Sequence, residues 1–585
     1  MPQVNFGKFA TIGNKRVASG LASGLNSGEL IDSMLKAREI PVQKLSDKID
    51  LNNKKIEAFD KFHNLLSHFQ TSCESLRKAH NFYTEDYEVF SMREISLTTN
   101  NGNDPFAYIN LAATTNPEIG NHKISNIKIA SPQTEVSESF TSKTDNLVAT
   151  TPTKGMFTAG TFYINDLEVT IADGDSLLQI QSKINNLGND SGVKATIVKS
   201  GYSKFELILQ SRLAGHAHSF LIDDPFDVLS NIHFNIKNAC NSSFILDDHF
   251  ISRASNEVDD VLEGVIIQLR QNTPENLVIN ANIAPAIDNI AATIGDFVSN
   301  YNAIMLNYIE HNERDPKTQT YKADAILGGD STLSILTNQI YDEVIGKVPG
   351  MDESELSRLS DIGISFSTLS GNEKFRFFKK FMNFNEALFR DKLHGNFNAV
   401  RKIFHFDYES TSPNFVVSER NNSIKLHDFT VMIADPEDKF VKIRYYDKAS
   451  MSFINIEADY LKTGEKNGKI TPKPGSLLDG ISILYYGEGN ETADISITHG
   501  IADRLYNLLK SASDSTSGVI YQSKTAISSS NTAIGEQMER HNNDIEHYRK
   551  KLVSQYAKVE DAVSKVNSVL QVLDAQDAAR KASGN

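Results

Sequence analysis

Three short patterns contain residue types that could support chemistry, but none has the spacing that the chemistry requires. Gly464–Lys469 resembles a phosphate-binding loop, yet it is one residue short and Ile470 follows where a magnesium-binding Ser or Thr is needed. Gly24–Gly28 has its serine in the wrong position for a nucleophile elbow. His216 and His218 offer two imidazoles without a third ligand nearby, so we interpret them as loop histidines. The sequence therefore predicts no catalytic residue, no cofactor and no metal site, and a protein that is not an enzyme.

The composition disfavours several kinds of binding partner and indicates the cellular compartment. The 585-residue chain carries a net charge of −15, which disfavours binding to nucleic acids and to anionic lipids. No apolar run approaches the ~18 residues that a membrane-spanning helix needs. The start, Met1–Lys8, lacks the apolar stretch of a cleaved signal peptide, and Cys73 and Cys240 form neither a disulfide framework nor a zinc site. We expect no nucleic acid, no membrane insertion, and a cytoplasmic protein unless export needs no cleaved signal.

The elements that would position any site are helical at both ends of the chain and β-like in the middle. From Ile545 to Leu573 an apolar side chain recurs in eight steps of three or four residues over 28 positions, a mean of 3.5. That period keeps one seam facing a partner helix. A similar seam near the N-terminus begins at Val42. The residues that we predict to form an oligomer or filament interface are Ile545, Tyr548, Leu552, Tyr556, Val559, Val563, Val566, Leu570, Leu573, Val42, Leu45 and Ile49.

Two arrangements satisfy these seams. In the first, the ends pair with neighbouring subunits: ordering a lone terminal helix costs more backbone entropy than its seam recovers, so the ends are loose in the monomer and order on assembly. In the second, the two ends pair only with each other in one subunit. The periodicity favours neither. The N-terminal seam continues through Ile56, Phe59, Phe62, Leu66, Phe69 and Leu76.

The pattern as a whole predicts a multidomain α+β fold, with long terminal helices in a coiled-coil or helical-bundle leg and β-rich head domains in the centre. Pro41 is expected to interrupt the first helix, which begins near Ser27. The predicted domains are a flexible segment 1–40, a helical leg 41–97, a β-rich domain 98–136 with 255–284, a distal β-rich domain 137–254 with a strand–helix–strand module, a helical core 285–404, a β-rich insertion 405–498, a continuation of the helical core 499–544 and a C-terminal coiled-coil segment 545–585.

Several motifs, in order along nearly the whole chain, resemble the flagellar filament capping family, also called hook-associated protein 2. Ser23–Asn26 leads into Leu30–Leu35 and Pro41, which is similar to that family's opening. Thr161–Val198 resembles the small strand–helix–strand module of flagellins and their relatives. The other matching segments are Ala254–Val265, Phe297–Asn302, Leu327–Asp330, Ile362–Ile364, Phe384–Leu388, Val400–Phe404 and Gly500–Ala502.

The chain also departs from the family pattern. Asn26 stands where the family usually has Asp, which retains the helix-capping role but removes the charge. The opening before Ser23 is longer than usual. Residues 405–498 resemble an insertion, and the resemblance says nothing about the role of that block.

The resemblance implies a secreted cap at the distal tip of the bacterial flagellar filament, exported unfolded by the flagellar type III apparatus without a cleaved signal peptide. Such a cap is a homo-oligomeric ring, often a pentamer, that helps exported flagellin to fold and insert and prevents its loss. Filament elongation and motility depend on it. The expected partners are further copies of the chain, flagellin, hook-associated proteins and a cytoplasmic export chaperone on the C-terminal helices.

Two other functions compete with capping. Another axial component, such as a hook–filament junction protein or a divergent flagellin, has long helical ends and the small β module but lacks the motifs in 297–330 and 362–404. A surface adhesin would bind host glycans or mucin through its β domains, a role that can coexist with capping.

Overall fold

The computed structural model divides the chain into two compact units. The first unit comprises Met1–Arg77 with Ile294–Asn585, and the second comprises Lys78–Thr293. Long helices occur in the first unit, and strands dominate the second, so the predicted multidomain α+β class with long terminal helices is confirmed. The structure describes residues 9–12, 15–18, 27–77, 88–114, 117–352, 356–368, 378–434, 440–464 and 467–582.

The first unit begins with a two-stranded hairpin, β1 (Phe9–Ile12) and β2 (Lys15–Ala18), and with helix α1 (Ser27–Leu76). α1 runs unbroken through Pro41, so the expected interruption there, and a domain limit at residue 40, are wrong. A proline in a helix interior removes one backbone hydrogen bond, here to the carbonyl of Ala37, and costs about 3 kcal/mol. Both residues are exposed, so water can satisfy that carbonyl, and packing on either side of Pro41 holds the helix together.

The second unit is built mainly from short antiparallel strands. Its helix and strands are β3 (Arg93–Thr99), β4 (Ile109–Ala113), β5 (Gly120–Lys128), β6 (Thr134–Ser137), β7 (Val148–Ala149), β8 (Phe157–Thr158), β9 (Gly160–Ile164), β10 (Leu167–Ile171), α2 (Leu177–Asn186), β11 (Val193–Gly201), β12 (Lys204–Ser211), β13 (Ile222–Asp223), β14 (Phe234–Lys237), β15 (Ser242–Leu246), β16 (His249–Arg253), β17 (Glu257–Leu262), β18 (Val265–Leu269) and β19 (Val278–Pro285).

Two sheets of this unit enclose one apolar core. Their strand orders are β16-β15-β5-β19-β3 and β17-β18-β4, and side chains of both sheets, such as Ile124 and Ile267, are fully buried in one cluster. The sequence assigned residues up to 254 to the distal domain, but β15 and β16 belong to this sheet because β15 pairs with β5. That boundary is wrong. Alternating Phe244 and Leu246 face the core of this sandwich, which fixes where the strand belongs.

The distal part contains the sheets β11-β12-β6-β14 and β10-β9-β13, the parallel pair β7-β8, and α2. The predicted strand–helix–strand module is present as β9, β10, α2 and β11. Asn165 and Asp166 join β9 to β10 with positive φ angles of 46° and 65°, as a tight two-residue hairpin turn requires. A capping box between Ser176 and Gln179 starts α2. The side chains of α2 that are buried in the distal core are Leu177, Ile180 and Ile184.

The remaining elements form the first unit, apart from the start of α3. They are α3 (Ile287–Asn312), α4 (Ser331–Ile345), β20 (Ile364–Ser367), β21 (Phe381–Phe384), α5 (Glu386–Gly395), α6 (Phe397–Phe404), β22 (Phe406–Ser410), β23 (Phe415–Glu419), β24 (Asp428–Ala434), β25 (Phe440–Asp447), β26 (Ser452–Ile456), β27 (Ala458–Lys462), β28 (Gly468–Pro472), β29 (Ser482–Tyr485), β30 (Glu491–His499), α7 (Ile501–Ala512) and α8 (Val519–Ala582).

The second half of α1 lies in the aromatic core of the first unit. The ring of Phe69 is 5.1 Å from that of Phe297 and 6.0 Å from that of Tyr301, both on α3. Phe297 in turn lies 6.1 Å from Phe404 at the end of α6. This half of the predicted N-terminal seam therefore packs inside the first unit, with Phe69 on α3 and with α7 also in contact with α1, which neither of the two sequence-based arrangements anticipated. The seam residues buried here are Phe59, Phe62, Leu66, Phe69 and Leu76.

Residues 406–499 form a β-sandwich between α6 and α7. Its sheets, β22-β30-β24-β25-β26 and β23-β29-β28-β27, share one apolar core. The chain enters at Phe406 and leaves at His499, which are register partners in β22 and β30. The amide of Gly500 then donates to the carbonyl of His405 at 2.7 Å. A Cβ at position 500 would lie 2.2 Å from that oxygen, so this crossing requires glycine.

Candidate interface on the terminal helices

The C-terminal helix α8 packs antiparallel on α1 of the same chain. Hydrogen bonds join Asn52 to Asn531, and an ion pair joins Asp60 to Lys524, so the numbers of facing residues add to 583 or 584. This register places Ser27, the first residue of α1, opposite position 556. α8 itself continues to Ala582 without a break, so the limit predicted between 544 and 545 lies inside one helix.

The paired section of the C-terminal seam is apolar at its centre. Leu552 is buried in a cluster with Ile31 and Leu35 of α1. The guanidinium of Arg38 lies 3.9 Å from the ring centroid of Tyr548, a cation–π contact that also shields the ring. In this section the two terminal helices therefore pair with each other in one subunit, which is the second of the two arrangements considered from the sequence. The partly buried residues packed on the cluster are Ile545, Tyr548, Val553 and Tyr556.

A polar pair interrupts the helix pair nearer the aromatic core. The buried amide of Asn52 donates to Oδ1 of Asn531 at 2.8 Å, and Asn531 donates to Oδ1 of Asn53 at 2.9 Å. A polar residue at a seam position costs stability but fixes the register, because any shifted alignment leaves an amide unpaired. This pair therefore sets which residues of α8 extend past the start of α1.

The section of α8 beyond Tyr556 keeps the seam, and among the described residues no helix packs on it. Val559, Val566, Leu570 and Leu573 are 45–57% exposed, and Val563 is half-buried. β1 lies beside α8, yet these side chains remain open. On the opposite face Lys565 Nζ and Asp561 form an ion pair of 2.7 Å, and the exposed Val569 and Val572 lie on that face as well.

The other predicted interface residues lie on the first half of α1. Val42, Leu45 and Ile49 are half-buried. The interface role of all twelve residues stays a prediction. Sequence reasoning missed the partners Ile31 and Leu35, although their spacing of four residues is a helical signal, and it missed the two asparagines that set the register.

A second feature that the sequence did not reveal is a buried charged cluster around Asp503 of α7. Its Oδ1 accepts from Arg77 Nη1 at 3.3 Å and from Arg420 Nη2 at 2.8 Å, and its Oδ2 accepts from Arg420 Nε at 3.0 Å. Nε2 of His499 lies 3.1 Å from the same Oδ2. The Asp503 side chain has no exposed surface. Its partners come from α1, the insertion and the end of β30, so no local spacing could have indicated the cluster.

Burial and charge act in opposite directions on the titration of this cluster. Burial alone would raise the pKa of Asp503, but the charge of Arg420 and the hydrogen bonds from His499 and Arg420 hold that pKa well below its ordinary value. Burial lowers the pKa of His499, and the attraction of Asp503 only partly offsets it. The cluster is therefore an ionised carboxylate with two guanidinium groups and a neutral imidazole.

The patterns that first suggested chemistry do not form a site. His216–His218 lie on an exposed 3-10 turn, in agreement with the loop interpretation, and His218 Nδ1 lies 2.8 Å from the carbonyl of Ala214. Ser23–Asn26 and residues 465–466 lie outside the described residues. Where the chain is described, no three His, Cys, Asp or Glu side chains are grouped to hold a metal ion. None of the described helices has the length and hydropathy to span a bilayer.

Comparison with known proteins places these features in a family. The models for the N-terminus and the C-terminus of flagellar hook-associated protein 2 match residues 23–133 and 239–568, and the flagellin hook IN motif matches residues 157–211. The C-terminal match alone covers more than half of the chain.

The similar proteins are distant in sequence. Flagellar hook-associated protein 2 of Borreliella burgdorferi is 23% identical over 207 residues, which span 32% of this chain and 30% of that protein. The A-type flagellar hook-associated protein 2 of Pseudomonas aeruginosa is 22% identical over 380 residues, 60% of this chain and 74% of that one. The D1-D2-D3 structure of the Escherichia coli flagellar cap protein FliD is 19% identical, covers 59% of this chain and 89% of that chain, and has a TM-score of 0.42.

Fold and interface together define a multidomain α+β protein organised around an antiparallel pair of terminal helices. The chain belongs to the flagellar hook-associated protein 2 family, and the resemblance inferred from its motifs is confirmed. That family consists of structural cap proteins of the flagellum rather than of known enzymes.

Proposed function

We propose that this chain caps the distal end of a bacterial flagellar filament, promotes the insertion of flagellin and prevents its loss. The observation that carries the proposal is the C-terminal seam, which α1 covers as far as Tyr556 and which from Val559 to Leu573 is exposed at every seam residue except the half-buried Val563. An exposed apolar stripe with a mean period of 3.5 residues is a surface for another helix. Membership of the cap family supports a filament or a neighbouring subunit as the source of that helix.

Capping by such a surface needs exchange of contacts rather than catalysis. Each half-exposed Val or Leu of the stripe contributes about 1 kcal/mol when it becomes fully buried, so one contact of this size is weak and separable. Several copies held in one ring bind together far more tightly, because each further contact is intramolecular. Flagellin released below the ring can then occupy a vacant site while one contact opens and the others hold.

The family also suggests what covers the stripe before export. A cytoplasmic chaperone bound to the C-terminal helix would keep its apolar face from self-association until the type III apparatus exports the unfolded chain. Export without a cleaved signal peptide, a ring that is often pentameric, contacts with hook-associated proteins, and host-glycan binding by the β domains stay predictions. A purely structural role without enzymatic activity belongs to the same proposal.

The experiment replaces the stripe without shortening the helix. In cells that carry the triple variant V566S, L570S and L573S, we expect monomeric flagellin in the medium and no filaments, because the exposed seam can no longer bury apolar surface. The matched control is D561Q, K565Q and S568Q, three polar positions on the opposite side of the same turns, which should give normal filaments. Filaments are counted by electron microscopy and secreted flagellin by immunoblot.

Export has to be separated from capping in that experiment. The variant protein is therefore measured in the medium as well, since a defect in chaperone binding would keep it inside the cell. Normal filaments from the triple variant would reject the proposed role of the stripe. Secreted variant protein together with lost flagellin would support capping, and retained variant protein would instead assign the stripe to export.

A further inference from the structure

One carboxylate connects the N-terminal helix to the insertion. Arg77, at the end of α1, and Arg420, in the segment between β23 and β24, both bind Asp503 of α7. The three side chains are 9%, 6% and 0% exposed respectively. Along the sequence Arg77 precedes the second unit, Arg420 lies within the sandwich, and Asp503 follows the sandwich.

α7 is contacted from both sides at this point. The guanidinium of Arg77 lies 3.5 Å from the ring centroid of Tyr506, and on the insertion side Asn422 donates to the carbonyl of Arg504 at 2.7 Å. Asp503 is the residue of α7 where the contacts from α1 and from the insertion meet.

The insertion holds Arg420 in place by its own packing. The guanidinium lies 4.3 Å from the ring centroid of Phe406, which belongs to the core of the sandwich. The ring of Phe406 in turn lies 5.6 Å from that of His499, edge to face. Arg420 therefore reaches its position when the sandwich has folded around Phe406.

We propose that the insertion completes the docking site of the N-terminal helix: the folded sandwich presents Arg420, which orients Asp503 to receive Arg77. A carboxylate without exposed surface needs donors on both oxygens, and Arg420 supplies one to each in a fork geometry. The single bond from Arg77, at 3.3 Å, then uses an acceptor that is already fixed. Without Arg420 the carboxylate keeps only the contact of Oδ2 with His499, so it can turn about that contact and Arg77 loses a defined partner.

Charge balance allows this cooperation despite two neighbouring guanidinium groups. Glu74, on the preceding turn of α1, lies 3.5 Å from Arg77 Nη2, so two cations face two carboxylates. Folding of the sandwich and docking of the last turn of α1 are then coupled. The insertion has a role in ordering the helical leg that is independent of what its outer surface binds.

The test measures hydrogen exchange in the full-length protein. In the variant R420M we expect the amides of residues 70–77 to exchange about ten-fold faster or more, because hydrogen bonds to buried charges are stronger than neutral ones and their loss leaves Arg77 without a fixed acceptor. Adding R77M to R420M should then have little further effect, whereas R77M alone should act strongly. The matched control is K473M, which removes the exposed pair of Lys473 with Asp459 in the same sandwich and should leave residues 70–77 unchanged.

A conservative variant keeps the proposal testable if R420M unfolds the sandwich. R420K retains the charge and removes the fork, so residues 70–77 should lose protection while residues 406–499 keep theirs. Unchanged protection of residues 70–77 in a variant whose sandwich stays folded would overturn the proposal. Additive effects of R77M and R420M would overturn it as well, because coupled residues must show an interaction.

Discussion

At the scale of single residues, the cluster around Asp503 makes the first unit sensitive to pH. Asp503 and His499 lie four positions apart at the N-terminus of α7, and the charges of Arg504 and Arg420 disfavour a protonated imidazole. Burial is the main cause that lowers the pKa of His499, because a charged imidazole would lose its hydration there. The neutral form is therefore favoured by the folded state.

The sign of the pH dependence follows from the direction of these shifts. His499 has a lowered pKa in the folded state, so its contribution is complete above the unfolded value of about 6.5 and is lost as the pH falls below it. Asp503, also lowered, adds a further loss only at strongly acidic pH. We expect the free energy of unfolding of the first unit, measured by urea titration, to fall by up to about 1.4 kcal/mol between pH 7.5 and 5.5, because pH 5.5 lies about one unit below the unfolded pKa.

The variant H499Q isolates the contribution of this side chain, because glutamine donates a hydrogen bond but does not titrate. Its urea midpoint should change less than that of the unaltered chain over the same range. His427, whose pKa burial also lowers, remains in both proteins and accounts for part of the residual slope. Equal slopes in the two proteins would contradict the assignment to His499.

Residues that act locally could be predicted from the sequence, and residues that act across the chain could not. Asn165 with Asp166, and Ser176 with Gln179, carry turn and capping signals within four positions, and the structure has a hairpin and a helix start there. Asp503 has partners 426 and 83 positions away, and no spacing connects them. Their proximity depends on the packing of three separate elements.

At the scale of elements, the unbroken course of α1 through Pro41 shows tertiary packing overriding a local signal. The variant P41A should stabilise α1 by up to about 3 kcal/mol, since alanine restores the missing backbone bond and the site is exposed. Hydrogen exchange of residues 34–44 should slow accordingly. The control Q43A changes an exposed side chain of the same turn and should have a small effect, and faster exchange in P41A would contradict the helical continuity.

The seams show what a period can and cannot predict about an element. The spacing from Ile545 to Leu573 correctly indicated a helix with one apolar face, since α8 spans it. It did not indicate that the surroundings change along the face, from packing on α1 at Leu552 to a half-exposed side chain at Leu570. In α1 the same kind of period led into the aromatic core at Phe69 instead. Period fixes the face of a helix, whereas the partner depends on the lengths and positions of other elements.

At the scale of the whole molecule, the two terminal helices are predicted to differ in stability along their length. In dilute monomer, amides of residues 545–556 should be protected by packing on α1, whereas residues 559–582 should exchange rapidly because most of their side chains are exposed. In assembled rings or on filaments the second group should become protected. Mass spectrometry of exchange at low and high protein concentration measures both groups in one experiment.

The outcome shows whether the exposed seam is covered by another subunit or by the same chain. Full protection of residues 559–582 at concentrations too low for association would mean that the chain covers its own seam, and the capping contact would then have to lie elsewhere. The double variant L552S and Y548S is the matched comparison, since it should release the paired section and leave the exposed section as it was.

The pairing of Phe406 with His499 has a consequence for how this chain can vary. Since facing residues of antiparallel strands lie about 5 Å apart, the 92 residues between them start and finish at a single point of the core. The insertion can therefore change in length or sequence without moving the end of α6 away from the start of α7. For the same reason a foreign epitope can be grafted there. Any replacement would still have to supply a guanidinium group to Asp503 in the place of Arg420.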